Sequence, residues 1–269
     1  MITSPSNKKI KEVIGLQKKA KARRERDVFV VEGMKMFLET DPKKIREVYL
    51  SEDVTDRLSK ECRQKLTSLS IHYEIVTQEI FRKLSDTKTP QGILCVVEQY
   101  HYTLTDLLTL NRSEERRPLL LILEDIQDPG NIGTIFRAGE GAGVSGIIMS
   151  SNTVDVYNPK TVRSTMGSIC RMPFLYSETL TETIIKLKEY GISVYAAHLQ
   201  GKDSYDLYDY RTGSAFLIGN EGNGLKEETA HIADHLIRIP MLGEVESLNA
   251  AVASSLLVYE AARQRRVYR

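Results

Sequence analysis

Three stretches in the second half of the chain combine glycines with polar side chains at the ends of apolar segments. The first stretch, residues 128–137, reads DPGNIGTIFR and follows a continuous apolar run. The second, residues 219–225, has three glycines in six residues and contains Glu221. The third runs from a β-type segment at Leu236 to a run of helix formers, with Ser247 and Asn249 just before it as helix-capping types. A strand, a loop of exposed amide groups and a close-packed helix make a plausible ligand cradle.

Two common nucleotide-binding motifs do not match these stretches. The first stretch lacks the G-x-G-x-x-G pattern, and no acidic residue ends the next strand, which argues against a dinucleotide. The second is not a phosphate-binding P-loop, because Lys226 is followed by Glu227 rather than by a hydroxyl residue. Glu221 would also repel a polyphosphate. A neutral or cationic cofactor therefore suits this loop better than ATP.

Arg137 has two possible roles, and the residues alone leave both open. We place it where the first helix meets its loop, aimed into a cleft at the carboxyl end of the sheet. There its guanidinium could grip a phosphate through two hydrogen bonds. It could instead be an exposed arginine paired with Glu140 or Glu124.

Strands alternating with helices predict an α/β fold in two parts. Continuous apolar runs such as residues 118–123 and 214–218 are typical of parallel strands covered on both faces. A smaller α/β domain is predicted for residues 1–100, and a polar, charged stretch suggests an exposed linker over residues 101–117. The larger domain then covers residues 118–269.

Composition indicates a soluble cytoplasmic protein. The 269 residues are 41% hydrophobic and 27% charged, without an apolar run near 18 residues or a secretion leader. The three cysteines are odd in number and far apart, and no His/Cys cluster accompanies them. They argue against a disulfide framework or a metal site and suit a reducing cytoplasm without a membrane anchor.

The amino-terminal 26 residues form a basic arm on a chain whose net charge is only +1. The arm holds nine lysines and arginines against two glutamates. An anionic polymer such as nucleic acid is its simplest partner, and a solvated helix face is the alternative. The RNA-binding candidates are Lys8, Lys18, Lys19, Lys21, Arg23 and Arg24.

Taken together, the three stretches resemble the three motifs of the SpoU (TrmH-type) branch of the SPOUT RNA methyltransferases. The resemblance covers residues 118–263 and depends on order, spacing and content. More loosely, residues 2–10 and 29–33 are similar to that family's ribosomal-protein-like substrate-binding domain. One departure is Ala251, where the third motif usually has a hydroxyl residue.

The resemblance implies a methyltransferase that uses S-adenosyl-L-methionine to methylate a ribose 2′-hydroxyl in structured RNA. It also implies a mostly parallel sheet with a deep trefoil knot, and a homodimer whose catalytic site lies at the subunit interface. The positions that match catalytic residues of the family are Asn131, Arg137, Glu221, Ser247 and Asn249. Those that match or adjoin the family's cofactor loops are Gly219, Asn220, Gly222, Ile239, Met241 and Leu248.

Within this enzyme class, the separate amino-terminal domain favours ribosomal RNA, above all large-subunit RNA, over transfer RNA. This preference is an analogy with the family rather than chemistry. The competing class is a non-catalytic RNA-binding or ribosome-assembly protein that kept the fold. The intact set of polar motif residues argues against it.

Overall fold

The computed structural model describes residues 1–68, 73–109 and 117–266. The chain forms two compact units, Met1–Tyr100 with Asp155–Cys170, and His101–Val154 with Arg171–Arg269. The segment 155–170 therefore packs with the first unit, although the sequence places it in the second domain.

Each unit has its own sheet. The elements of residues 1–100 are α1 (Lys8–Lys18), α2 (Ala20–Arg26), β1 (Val28–Glu32), α3 (Met34–Glu39), β2 (Ile45–Ser51), α4 (Lys60–Ser68), β3 (Tyr73–Val76), α5 (Gln78–Leu84) and β4 (Ile93–Glu98). Those that follow are α6 (Leu104–Thr109), β5 (Leu119–Leu123), α7 (Pro129–Ala142), β6 (Gly146–Ser150), α8 (Pro159–Ser164), β7 (Phe174–Ser177), α9 (Leu180–Glu189), β8 (Ser193–Ala197), β9 (Asp203–Ser204), β10 (Ser214–Ile218), α10 (Glu227–Ile232), β11 (His235–Arg238) and α11 (Ala250–Arg265).

The first unit contains a mixed four-stranded sheet in the order β1-β4-β2-β3. β4 is antiparallel to β1 and β2, whereas β2 and β3 are parallel. Helices α1 and α5 cover this sheet with fully buried side chains, among them Ile10, Val13 and Phe81. The predicted small α/β architecture is confirmed. The basic arm forms two helices, because the backbone is extended at Lys19.

The second unit contains a seven-stranded sheet in the order β7-β6-β5-β10-β8-β11-β9, and every pairing in it is parallel. Its central strands β5 and β10 are buried at every position, as their continuous apolar sequences predict. The mostly parallel α/β fold is thus confirmed. The trefoil knot stays a prediction from the resemblance.

The strand order reverses direction between β5 and β10. Strands β6 and β7 follow β5 outward on one side, whereas β8 and β11 lie on the other side of β10. Open α/β sheets bind ligands at such a switch point, beyond the carboxyl ends of the strands. We therefore expect a ligand site among the loops after β5, β10 and β11.

The predicted exposed linker, residues 101–117, is partly helical. In α6, Leu107 is fully buried and Leu108 nearly so, which the apolar spacing Leu104, Leu107 and Leu108 could have indicated. A Cβ atom added to Gly146 would lie 2.3 Å from Leu107 Cγ, so α6 packs tightly against β6. Residues 110–116 of the predicted linker lie outside the described residues.

None of the helices in the described residues is long and apolar enough to cross a membrane.

Arg23 is part of the first unit's core and does not lie on a basic surface. It is 3% exposed, and its guanidinium donates to Asp155 Oδ2 from Nε at 3.1 Å and from Nη2 at 2.5 Å. Its Nη1 donates to the carbonyl of Leu16 at 2.7 Å. The prediction that Arg23 binds RNA is therefore wrong, because the protein itself uses the charge. The residue joins α1 and α2 to the segment 155–170.

Replacing Arg23 should destabilise the first unit, since removing one partner leaves the other charge without compensation. We expect Arg23→Met to lower the free energy of unfolding by about 2 to 3 kcal/mol, less than for a fully buried pair because the Asp155 side chain keeps 29% exposure. The neighbouring exposed residue provides the control: Arg24→Met should change stability by no more than about 0.5 kcal/mol. Urea denaturation of both variants measures the difference, and equal midpoints would refute the structural role of Arg23.

Candidate active site

Three loops meet beyond the carboxyl edge of the second unit's sheet. Residues 124–128 connect β5 to α7, residues 219–226 connect β10 to α10, and residues 239–249 connect β11 to α11. We call them loop 1, loop 2 and loop 3. Because the strands are parallel, their carboxyl ends lie at one edge, and this brings the three sequence motifs together.

Loop 1 ends in a fixed helix start. Asp128 is the N-cap of α7, and its Oδ1 accepts a hydrogen bond from the Asn131 N–H at 2.8 Å. Pro129 occupies the first helical position, where its missing N–H costs nothing. The cap therefore sets the position of Asn131 in the first turn of the helix.

Loop 2 is folded on itself around Asn220. The Asn220 side-chain oxygen accepts from the N–H groups of Gly222 and Asn223 at 2.9 and 3.1 Å, and its amide donates to the Asp125 carbonyl at 2.7 Å. A Cβ atom at Gly219 would come within 2.3 Å of the Gly224 carbonyl carbon, so only glycine fits there. Asn220 and Gly222, predicted as cofactor contacts, use these groups to shape the loop.

A relay of side-chain hydrogen bonds joins the three loops. Asn249, at the end of loop 3, donates from Nδ2 to Asn131 Oδ1 at 3.0 Å. Asn131 in turn donates from its Nδ2 to Glu221 Oε1 in loop 2 at 2.8 Å. The backbone N–H groups of Gln127 and Asp128 also donate to the Glu221 carboxylate, each at 3.3 Å. Three predicted site residues that lie far apart in sequence are thus brought into direct contact.

The environment of Glu221 favours its ionised form. Partial burial by itself would raise the pKa of this carboxyl, but the hydrogen bonds from Asn131 and from the backbone N–H groups of loop 1 outweigh it. The pKa of Glu221 therefore lies below its ordinary value. Near neutral pH the residue acts as an acceptor that organises donors, not as an acid.

Asn249 has a second function as the N-cap of α11. Its Oδ1 accepts from the N–H groups of Ala251 at 2.9 Å and Val252 at 3.3 Å, while its Nδ2 is the donor to Asn131. Ser247 and Asn249 are the two residues predicted as candidates for the N-cap of this helix, and Asn249 is the one that caps it. Ala251, where the related motif usually has a hydroxyl, is 3% exposed, and the cap satisfies its N–H.

Arg137 and Ser247 do not belong to this relay. Arg137 lies six residues after Asn131 in α7, which corresponds to about 9 Å along the helix axis, so its predicted place at the helix–loop junction is wrong. Its side chain is exposed and makes no ion pair with the described residues. Glu140 pairs instead with Arg171, and Glu124 contacts Thr229 and Lys226. Ser247 is exposed at the end of loop 3.

The other predicted cofactor positions present unused backbone groups. Among the described residues, none makes a hydrogen bond to the backbone of Gly219, Ile239 or Leu248. Ile239, Met241 and Leu248 are half-buried, so loop 3 offers apolar side chains beside these polar groups. Free amide and carbonyl groups beside apolar surface fit a cofactor with a polar amino-acid end and an aromatic base.

The remaining RNA-binding candidates are surface residues. Lys8, Lys18 and Arg24 on α1 and α2, and Lys19 between the two helices, are exposed and make no ion pair with the described residues. Lys21 is also exposed and makes a 3.7 Å contact with Glu25, a weak surface pair. This leaves most of the predicted basic charge available to a partner.

Several groups that organise the site were missed from the sequence. The backbone N–H groups of Gln127 and Asp128 bind Glu221, and Asp125, Ser150 and Lys226 connect loops 1 and 2. The Asp128-Pro129 pair signals a helix start and could have indicated the cap. The other contacts join residues distant in sequence, and no local pattern marks them.

Comparison with known proteins gives matches over both units. Residues 118–259 match the SpoU rRNA Methylase family, and residues 7–95 match the MRM3-like substrate binding domain. A 23S rRNA (guanosine(2553)-2′-O)-methyltransferase of Bacillus subtilis is 29% identical over 96% of this chain and 97% of its own length. A 23S rRNA (guanosine-2′-O-)-methyltransferase of Neisseria meningitidis is 30% identical over 90% of this chain and 96% of its own.

A crystal structure of an AdoMet-bound rRNA methyltransferase from Sinorhizobium meliloti is also similar. It superposes with a TM-score of 0.82 at 30% identity, covering 97% of each chain. This chain belongs to the SpoU rRNA methylase family. The class predicted from the three motifs, an S-adenosyl-L-methionine-dependent RNA 2′-O-ribose methyltransferase, is confirmed.

Glu221→Gln should make the stability of the second unit less dependent on pH. Glu221 has a lowered pKa, so its ionised form stabilises the fold above the pKa of the unfolded state, about 4.3. This contribution is lost as the pH falls through the folded pKa. The wild type should therefore have a higher free energy of unfolding than Glu221→Gln at pH 7. This difference should disappear below about pH 4.

Urea denaturation at several pH values measures this difference. Glu189→Gln, an exposed glutamate at the end of α9, is the control and should show no comparable difference. If the difference in unfolding free energy between the wild type and Glu221→Gln stayed constant down to pH 3, the ionised form of Glu221 would not stabilise the relay.

Proposed function

We propose that this chain methylates the ribose 2′-hydroxyl of a nucleotide in large-subunit ribosomal RNA. The observation that carries the proposal is the hydrogen-bonded relay Asn249–Asn131–Glu221, which joins all three motifs at the switch point of the sheet. Relatives named as 23S rRNA methyltransferases, matched over nearly their whole length, support the choice of RNA. A substrate-binding domain matched separately over residues 7–95 supports it further.

The reaction requires positioning more than strong acid–base chemistry. Bound S-adenosyl-L-methionine supplies a methyl group that its sulfonium already activates. The chain's residues must hold the 2′-hydroxyl in line with that group and favour loss of its proton. Gly219, Ile239 and Leu248 would hold the cofactor through backbone groups, with Met241 packing beside it.

Arg137 is the residue we assign to the RNA side of the reaction. It is a cation without an ion-pair partner among the described residues, and a guanidinium is a poor base at its ordinary pKa. Its role is to contact the target ribose and the adjacent phosphate and to stabilise the alkoxide as the 2′-hydroxyl loses its proton. Asn131, Glu221 and Asn249 hold the loops in register, and Ser247 contacts the substrate from the end of loop 3.

Arg137→Ala should abolish methyl transfer while the affinity for S-adenosyl-L-methionine stays within about twofold, because the relay and the cofactor loops are left intact. Arg137→Lys keeps the positive charge but cannot form the bidentate hydrogen bonds of a guanidinium, so it should retain a small activity. Transfer of radiolabelled methyl groups into ribosomal RNA, together with calorimetric cofactor binding, measures both effects. Full activity of Arg137→Ala would remove the residue from the mechanism.

Mapping of 2′-O-methyl groups in RNA from a deletion strain identifies the target. Loss of a methyl group from large-subunit RNA supports the proposal, and loss from transfer RNA selects the alternative substrate. No loss from any RNA would favour a non-catalytic role in RNA binding or ribosome assembly. We place the protein in the cytoplasm, where its three free cysteines suit a reducing environment.

The basic arm of α1 and α2 is our candidate for gripping the RNA. Lys18, Lys19 and Lys21 lie at the junction of the two helices with exposed side chains. Lysines that neutralise phosphates release counterions from the RNA, so their contribution should appear in the salt dependence of binding.

Reversal of these three charges to glutamate should weaken RNA binding and reduce the slope of log affinity against log salt by about 0.7 to 0.9 for each phosphate that the arm no longer neutralises. Lys186→Glu with Lys202→Glu, two exposed lysines of the second unit, is the control. Filter binding over a range of salt concentrations measures the slopes. Equal slopes for the arm variant and the wild type would exclude the arm.

A homodimer is the assembly we propose, through the exposed side of α11. Val252, Leu256 and Tyr259 follow one another at helical spacing and are 48%, 39% and 45% exposed. Leu242 and Val245 in loop 3 are 103% and 62% exposed. Large apolar side chains exposed in this way are typical of an interaction site, and a second copy is the partner we propose for them.

Leu256→Glu should shift the protein from dimer to monomer in sedimentation velocity, because a charge would be buried at the interface. Ile185→Glu replaces an isolated residue of α9 that is 48% exposed, and it should leave the dimer intact. A dimer that persists in Leu256→Glu would place the interface elsewhere.

A further inference from the structure

Loops 1 and 2 are joined at their bases by a group of residues that no motif includes. Glu124 and Asp125 follow β5 directly, Ser150 ends β6, and Lys226 ends loop 2. These residues lie where the two loops meet the strands and helices of the second unit.

Asp125 has a backbone conformation that non-glycine residues seldom adopt. Its φ is +55°, in the left-handed region, which aspartate tolerates better than most residues. Such a conformation persists only where surrounding contacts hold it in place. The left-handed conformation of Asp125 therefore depends on the contacts that surround this residue.

Two elements, the end of β6 and loop 2, hold Asp125 in place. Its N–H donates to Ser150 Oγ at 2.8 Å, and that hydroxyl donates back to Asp125 Oδ1 at 2.7 Å. Its carbonyl accepts from Asn220 of loop 2 at 2.7 Å, and its Oδ2 lies 2.9 Å from Lys226 Nζ. All its polar groups are thus used, and two of the contacts lead to loop 2.

Lys226 is held by the two neighbouring acids. Its N–H donates to Glu124 Oε2 at 2.9 Å, while its ammonium pairs with Asp125. Glu124 is only 3% exposed and also accepts from Thr229 Oγ1 at 2.6 Å. The hydrogen bond and charge of Asp125 raise the pKa of Lys226, and although burial alone would raise the pKa of Asp125, hydrogen bonds from Lys226 and Ser150 lower it. Both residues stay charged across the neutral range.

The backbone hydrogen bonds from loop 1 to Glu221 would not by themselves fix the distance between loops 1 and 2. The backbone bonds from Gln127 and Asp128 to Glu221 are 3.3 Å long, at the weak end for N–H donors, and residues 221–224 are all exposed. The contacts of Asp125 are shorter, between 2.7 and 2.9 Å. The direction of the chain at Asp125 also decides where the N–H groups of residues 127 and 128 point.

We propose that Asp125 and Lys226 are positioning residues that set the register between loop 1 and loop 2 and so place Asn131 against Glu221. The inference rests on the function proposed above for the relay. In this role neither residue needs to contact the substrate. Their effect reaches the reaction through the geometry of the loops, and errors of about 1 Å there cost about 100-fold in rate.

The test compares four substitutions at these two positions. Asp125→Ala and Lys226→Met each break the ion pair and should lower kcat by about 10- to 100-fold, with the KM for RNA unchanged. Lys226→Arg keeps the charge and should retain most of the activity. Asp125→Asn tolerates the positive φ and keeps an acceptor for Ser150 but loses the ion pair, so its kcat should fall about as far as that of Lys226→Met. The double variant Asp125→Ala with Lys226→Met should be no worse than the poorer single variant, because the two residues act as one unit.

Lys188→Met is the matched control. Lys188 pairs with Asp234 at 2.9 Å and has a similar exposure, but the pair lies at the amino end of β11, away from the loops. Its loss should change the melting temperature about as much as Lys226→Met and leave kcat unchanged. If Asp125→Ala misfolds, Lys226→Met and Lys226→Arg carry the comparison.

The inference is overturned if Lys226→Met keeps kcat within about twofold of the wild type, or if Lys188→Met lowers kcat equally. A wild-type protein that transfers no methyl group to RNA would instead refute the proposed function. In that case the affinity for S-adenosyl-L-methionine still tests whether Asp125 and Lys226 set the relative positions of loops 1 and 2. Weaker binding of the cofactor by Lys226→Met, restored in Lys226→Arg, would support this inference. Unchanged binding by Lys226→Met would overturn it.

Discussion

The hydrogen bonds from Asn249 through Asn131 to Glu221 are the interaction on which the second unit's arrangement depends. Glu221 lies in loop 2, Asn249 ends loop 3, and Asn131 lies in the first turn of α7, directly after loop 1. The strands that precede the three loops are far apart in sequence. The sheet makes their meeting possible, because β5 and β10 are neighbours and all seven strands run in one direction. Buried strands supply a rigid base, whereas the loops themselves are largely exposed. Precise side-chain contacts above that base therefore compensate for the lack of packing within the loops.

The relay also solves an electrostatic problem. A carboxylate beside an RNA site would repel phosphates, yet Glu221 lies in the centre of the loops. Its charge is balanced by the Asn131 amide and by backbone N–H groups just before α7, at the positive end of that helix. The carboxylate thus serves as an internal acceptor, and the cation that we propose for the substrate is Arg137. Under that proposal, the site attracts an anionic polymer while it keeps an acid at its centre.

Patterns within short stretches of sequence predicted those parts of the fold that depend on interactions between residues close in sequence. Continuous apolar runs gave the central strands, and capping types gave the start of α11 at Asn249. The failures concern contacts between distant residues. Arg23 reads as one more cation in a basic arm, and only the presence of Asp155, 132 residues later, makes it a buried structural residue. The left-handed conformation of Asp125 is invisible in the sequence for the same reason, since the contacts that hold it come from β6 and loop 2.

The position of Arg137 has a consequence for the assembly. It lies about 9 Å along α7 from Asn131, on the exposed side of a helix that packs against α11. A single chain therefore presents its relay and the exposed Arg137 at separate places along α7. Covering the exposed side of α11 with a second copy, as we propose, would enclose the surface around Arg137 without disturbing the relay. This would exclude water from the place where the 2′-hydroxyl loses its proton, and there the field of one guanidinium is worth far more than in solvent.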